Sequence, residues 1–200
     1  MLIHGFVAHS RVNGPGVRAV VYFQGCNLGC ENCWNPATHA FTGLSRGTED
    51  VAEEIADAHR THSIEGVTFS GGEPMQQARD LLDLIRLLRR ARPEISIGMY
   101  SGYTEIELDS GRFWTWCGLA QEARRQVWAD TRLYLDFAVL GRFVALRPSR
   151  LPLRTSANQA LRLFSGRYRE EHFKPLEFEV HIEPEGLVHI TGFPLSGLPV

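Results

Sequence analysis

Two β-branched and aromatic runs open the chain, at residues 2–7 and 17–23 (VRAVVYF), and predict a pair of strands. Asn13, Gly14, Pro15 and Gly16 between them are a turn by composition. The period then changes. Val51, Ile55 and Ala58 fall on one face of a helix predicted over 49–62, with Thr48 as its cap and Glu49 and Asp50 in the first turn. A buried-type strand follows at 66–70 (GVTFS). Ala78, Leu81, Leu82, Ile85 and Leu88 then recur at helical spacing over 76–91, stopping before Pro93. Residues 95–100 predict another strand, 104–108 a short helix, 113–128 a longer one and 133–140 a further strand. Residues 147–174 read as loop with one short helix at 159–164. The segments 176–182 and 187–191 flank Glu183, Pro184, Glu185 and Gly186 as a β-hairpin.

Strand, loop and helix in repetition argue an α/β fold with a parallel sheet and right-handed crossovers. Ligands of such sheets collect at the carboxyl ends of the strands. Three chemically suggestive segments fall there: a cysteine loop after Phe23, Gly71-Gly72-Glu73-Pro74 after Ser70, and Ser101-Gly102-Tyr103 after Tyr100. Their agreement in position argues more than any one of them alone.

Cys26, Cys30 and Cys33 stand in a C-x3-C-x2-C arrangement within the loop GCNLGCENCWNP. Thiolates are soft ligands that select iron-sulfur clusters, zinc or Cu(I). Three cysteines are one short of a closed [4Fe-4S] ligand set, which leaves one iron open to another molecule. A structural zinc is the rival, with His39 available to complete a Cys3His set, but zinc sites usually pair C-x2-C knuckles some distance apart. Disulfides fit poorly, because three clustered cysteines leave one unpaired. Cys117 lies in an apolar stretch with Trp114 and Trp116, and is expected to be a buried, inert thiol. His181 and His189 on the hairpin read as exposed or satisfied imidazoles rather than metal ligands.

Composition narrows the partners. At 200 residues, with 44% hydrophobic and 22% charged residues, the chain suits one globular domain, 1–200, with about 166–200 as a C-terminal extension. A net charge of -2 gives no global case for nucleic acid or an anionic membrane. No apolar run approaches the ~18 residues that cross a bilayer. A cytoplasmic location is expected, where thiols stay reduced and available to metal.

The cysteine spacing followed by Phe69-Ser70-Gly71-Gly72-Glu73-Pro74 resembles the radical S-adenosylmethionine superfamily. Asn13-Gly14-Pro15-Gly16-Val17-Arg18, Asn35-Pro36, Tyr100-Ser101-Gly102-Tyr103-Thr104, Asp136-x4-Gly141-Arg142-Phe143 and Asn158-Gln159 resemble segments of the anaerobic ribonucleoside-triphosphate reductase activating proteins, in matching order over about residues 1–165. The pyruvate formate-lyase activating enzymes are more distant. The resemblance implies a partial (β/α) barrel of radical SAM type, here with a C-terminal β-hairpin. It implies a [4Fe-4S] cluster on Cys26, Cys30 and Cys33, and S-adenosylmethionine as second cofactor, contacted by Ser70, Gly71, Gly72 and Glu73, with Asn32 and Ser101 as further cofactor-site positions. It also implies reductive cleavage to a 5'-deoxyadenosyl radical that takes hydrogen from a backbone glycine of a glycyl-radical enzyme. A flavodoxin- or ferredoxin-like protein would donate the electron.

Some positions depart from the pattern: Asn32 where many members carry an aromatic residue against adenine, Trp34 where activases often have His, and Thr155 within Arg154-Thr155-Ser156-Ala157. The alternatives are a radical S-adenosylmethionine enzyme acting on another peptide or a small molecule, and a non-catalytic zinc or cluster module. The short chain is expected to leave its active-site face open along one side, with Arg18, Arg142, Arg147, Arg150 and Arg154 bordering the opening.

Overall fold

Residues on successive positions of the central strands serve opposite faces of one sheet, and this parity organises the molecule. The computed structural model describes residues 1–175, 178–182 and 188–193. In it β1 (Ile3–Ser10), β2 (Arg18–Phe23), β3 (Gly66–Gly71), β4 (Ser96–Ser101), β5 (Phe137–Leu140) and β6 (Ala160–Leu163) form one sheet in chain order. β2 to β5 are mutually parallel, while β1 and β6 flank them antiparallel. The strand and helix repetition predicts the parallel strands β2 to β5; the antiparallel edges make the sheet mixed.

Crossovers run through α1 (Thr48–His62), α2 (Ala78–Ala91), the short α3 (Glu105–Asp109) and α4 (Gln121–Arg132). Ala19, Val21 and Phe23 of β2, Val67 and Phe69 of β3, and Ile97 and Met99 of β4 join Val51 and Ile55 of α1 and Leu81 and Ile85 of α2 in the main core. Gly47, not Thr48, caps α1, and its N–H donates to Asp50 at 3.3 Å. The opposite face carries Phe137 and Val139, covered by Leu153, Leu161, Tyr168, Phe173 and Phe193. Tyr168, Phe173 and Phe193, from beyond β6, thus pack on the second face of the sheet around β5. A separate two-stranded sheet pairs β7 (Phe178–Ile182) with β8 (Val188–Gly192). Its expected turn, residues 183–186, lies outside the described residues, as do 176, 177 and 187 from the predicted strands.

Three predicted elements differ. The helix expected over 113–128 begins only at Gln121, because upstream backbone donors have other acceptors: Trp114 N–H meets the Tyr103 hydroxyl and Trp116 N–H the Gln76 carbonyl. Cys117 in that irregular stretch is exposed, not buried. Trp114 and Trp116 are also partly exposed and pack against Phe41. The strand expected from 133 begins at Phe137, since Tyr134 N–H still bonds to Thr131 at the end of α4. The short helix expected at 159–164 is β6, whose pairing with β5 satisfies its backbone and turns Leu161 onto the second face.

Arg18 is a further correction. It is fully buried rather than bordering an opening, with Nε donating to Thr68 at 2.8 Å and one Nη to the Val67 carbonyl at 2.8 Å. Its guanidinium carbon lies 5.0 Å from the centre of the Phe137 ring. Neutral acceptors and a π face replace a carboxylate partner, and burial lowers its pKa.

Candidate metal and cofactor site

The cysteine loop leaves β2 and is fixed by backbone hydrogen bonds at its root. Gly25 N–H donates to Thr38 O at 2.7 Å and Cys26 N–H to His39 O at 3.0 Å. Asn27 N–H donates to Gln76 Oε1 at 3.2 Å, and the two side-chain amides also pair. Cys26, Cys30 and Cys33 are half-buried and line one pocket. Burial pushes the Cys26 thiol up to about 12, opposed by the Leu28 N–H and reinforced by Glu73 and the neighbouring cysteines. Cys30 is also raised by burial, opposed by the Phe143 N–H. Three thiolates this close repel one another, so a positively charged centre is what would hold them ionised. Among the described residues no three His, Cys, Asp or Glu side chains are placed to hold a single metal ion. His39 lines the same pocket without completing a zinc set.

The Gly71–Pro74 turn is stitched to that loop. Gly72 N–H donates to Phe23 O at 2.8 Å and Glu73 N–H to Gly25 O at 3.0 Å. Gly71 has φ +98°, and a Cβ there would sit 2.6 Å from Phe23 N. A Cβ on Gly72 would lie 2.5 Å from Gly25 O. Both glycines are therefore required by the approach of two backbones, before any ligand is considered.

Glu73 is buried, yet its carboxylate is fully engaged. Oε1 accepts from Met75 N–H and Ser101 Oγ, both at 2.9 Å, and Oε2 accepts from Gly102 N–H at 2.7 Å. Burial raises its pKa to about 7 against the usual 4.5, and these donors only partly oppose the rise. Ser101 consequently positions Glu73, tying the end of β4 to the turn after β3. Such a carboxyl favours the fold while protonated. Between pH 4.5 and 7 the unfolded chain loses the proton that the folded chain keeps, so stability falls as pH rises through that window, by about 3 kcal/mol. Urea titrations of the chain without cofactors should show this decline, and Glu73→Gln should remove it. An identical pH profile in the variant would contradict the assignment.

Alternate positions on the strands complete the pocket. Tyr22 and Ser70 pair across β2 and β3, Tyr100 and Val139 across β4 and β5, and all four line the cavity. The Tyr100 hydroxyl is buried without a hydrogen-bond partner among the described residues. Trp34 packs edge-on to Phe143 at 5.7 Å, and Phe193 lies 5.8 Å from Tyr100. Asn13 and Tyr22 both reach the Thr191 hydroxyl, at 2.8 and 2.6 Å. In the sequence Asn13 and Tyr100 fall within family-like segments without a site role, and Tyr22 is only a strand residue; for the two tyrosines the inward phase of the strand was the available signal. Of the expected site residues, Cys26, Cys30, Cys33, Ser70, Gly71, Gly72, Glu73 and Ser101 share this pocket, whereas Asn32 does not. Asn32 is exposed with φ +53°, a left-handed position that asparagine tolerates.

Residues 12–162 match the family described as 4Fe-4S single cluster domain. The chain is 30% identical over 170 residues to an anaerobic ribonucleoside-triphosphate reductase-activating protein of Vibrio cholerae, covering 82% of this chain and 99% of that one. The chain belongs to the radical S-adenosylmethionine activases. The corresponding protein of enterobacteria phage T4 is 28% identical over 75% of this chain and 86% of its own. A pyruvate formate-lyase-activating enzyme of Clostridium pasteurianum is 38% identical over 114 residues, and the chain spans about half of that longer relative, 47% of its length. Membership makes the chain an enzyme with a [4Fe-4S] cluster and S-adenosylmethionine as cofactors. The pocket fits both: it offers three soft donors and a buried carboxyl that a cation would ionise. No helix among the described residues is long and apolar enough to cross a membrane.

Proposed function

We propose that this chain installs a glycyl radical on a partner enzyme, an anaerobic ribonucleotide reductase by the names of its relatives. The observation that carries the reading is one pocket, beyond the carboxyl ends of the parallel strands, shared by Cys26, Cys30 and Cys33, the Gly71–Glu73 turn and Tyr100. In this reading the three cysteines hold the cluster and leave one iron open. When bound, the cluster and S-adenosylmethionine supply reductive cleavage to methionine and a 5'-deoxyadenosyl radical. The protein's own work is placement. Glu73, held by Ser101 and Gly102, would ionise against the ammonium of the methionine moiety, whose charge opposes the burial that raises its pKa. Ser70 and the glycines allow close approach, and Trp34, Phe143 and Phe193 exclude water.

The strand pairing in register, with helices on one face, is compatible with a partial barrel. We read the whole chain, 1–200, as one cytoplasmic domain, reduced by a flavodoxin- or ferredoxin-like donor. A second reading draws on the open mouth of the pocket, which would also admit a peptide other than a glycyl-radical loop or a small molecule. Electron paramagnetic resonance decides. Incubation of the reduced, reconstituted chain with S-adenosylmethionine and the anaerobic ribonucleoside-triphosphate reductase of the same organism should yield a glycine-centred radical on the reductase. No radical on the reductase, with multiple turnovers of a small metabolite, would favour the second reading.

A further inference from the structure

The β7–β8 hairpin has its polarity reversed. Phe178, Val180 and Ile182 on β7 share one face with Val188 and Ile190 on β8, since Val180 pairs with Ile190 and Ile182 with Val188. These five apolar side chains are between 37% and 72% exposed. The polar face turns inward. Glu179 accepts the Arg11 N–H with both oxygens, at 3.1 and 3.0 Å, the His181 ring lies 5.2 Å from that of His9, and Thr191 bonds Asn13 and Tyr22.

An isolated two-stranded sheet has little stability of its own, and a half-covered sheet ordinarily buries its apolar face. Here hydrogen bonds of the polar face dock the hairpin and leave an apolar patch outward, the signature of a surface that another molecule covers. Two observations say which molecule. Ile190 and Gly192 also line the cofactor pocket, so the patch is continuous with the opening through which a hydrogen donor must reach it. The hairpin also lies beyond residues 12–162, the part shared with the family, and so is placed to recognise this chain's own partner.

We infer that the outer face of β7 and β8 is a docking surface for the protein that supplies the hydrogen atom, and that it receives an apolar strip flanking the reactive glycine. This rests on the proposed function. Each of Val180 and Ile182 contributes apolar contact to the complex and neither lines the pocket.

The test compares the reconstituted wild type with Val180→Ser/Ile182→Ser. The readouts are affinity for the anaerobic ribonucleoside-triphosphate reductase of the same organism, iron content, affinity for S-adenosylmethionine, and oligomeric state. The inference expects a loss of roughly tenfold or more in reductase affinity, as for truncation of central apolar contacts, with the other properties unchanged. Equal binding by both proteins overturns the docking surface and leaves the proposed function standing. Absence of wild-type binding overturns both. A wild-type dimer that the double variant dissolves also overturns the inference, since a second copy would then cover the patch.

Discussion

Alanine at Cys26, Cys30 or Cys33 abolishes the iron-sulfur chromophore, taking iron from about four per chain in the anaerobically reconstituted protein to background. All three thiols face one pocket, and with only three ligands from this loop each loss leaves a site too poor to hold a cubane. Alanine at Cys117 leaves iron unchanged, because that thiol is exposed in the irregular stretch before α4 and does not line the pocket. Metal analysis beside the visible spectrum of all four variants checks this. Stoichiometric zinc in the reconstituted wild type, or full iron in any of the first three variants, would contradict it.

Gly72→Val has the second large effect, and it reaches further than the cofactor. A side chain at Gly72 would meet Gly25 O at 2.5 Å and Thr38 O at 3.1 Å, so the carbon chain enters the root of the cysteine loop. Backbone atoms there cannot swing aside as a side-chain tip can. The variant should therefore lose iron several-fold as well as its response to S-adenosylmethionine. Alanine at Gly5, where a Cβ meets nothing within 4 Å, serves as the harmless control. Normal iron retention in Gly72→Val, with only cofactor binding lost, would show that the turn acts on the ligand alone.

Legibility in the sequence followed the range of the interactions involved. The cysteine spacing, the glycine turn and the strand ends carry local signals, and the structure brings them together as those signals imply. The parity of the strands was also present in the letters: Arg18, Tyr22, Thr68, Ser70, Ser96 and Tyr100 alternate with apolar neighbours. It was obscured because strands covered on both faces read as continuous apolar runs. Arg18 could not be placed from its type, since its burial depends on Thr68, Ser96 and Phe137, each more than forty residues away. The false helix start near 113 arose because the letters are silent about the distant acceptors that claim the Trp114 and Trp116 amides. Asn32 was assigned by its place in a motif, and its left-handed backbone conformation was not legible from that motif. Coverage of the second face by Tyr168, Phe173 and Phe193 was likewise invisible, because it joins the end of the chain to β5.

The central claim is that this pocket directs reductive cleavage of S-adenosylmethionine. The most direct measurement is 5'-deoxyadenosine released by the anaerobically reconstituted chain with a low-potential reductant and S-adenosylmethionine. The account predicts 5'-deoxyadenosine and methionine in equal amounts, dependent on the reductant and absent from Cys30→Ala. A fully iron-loaded wild type that binds S-adenosylmethionine under reduction yet releases no 5'-deoxyadenosine, alone or with the reductase, would contradict it.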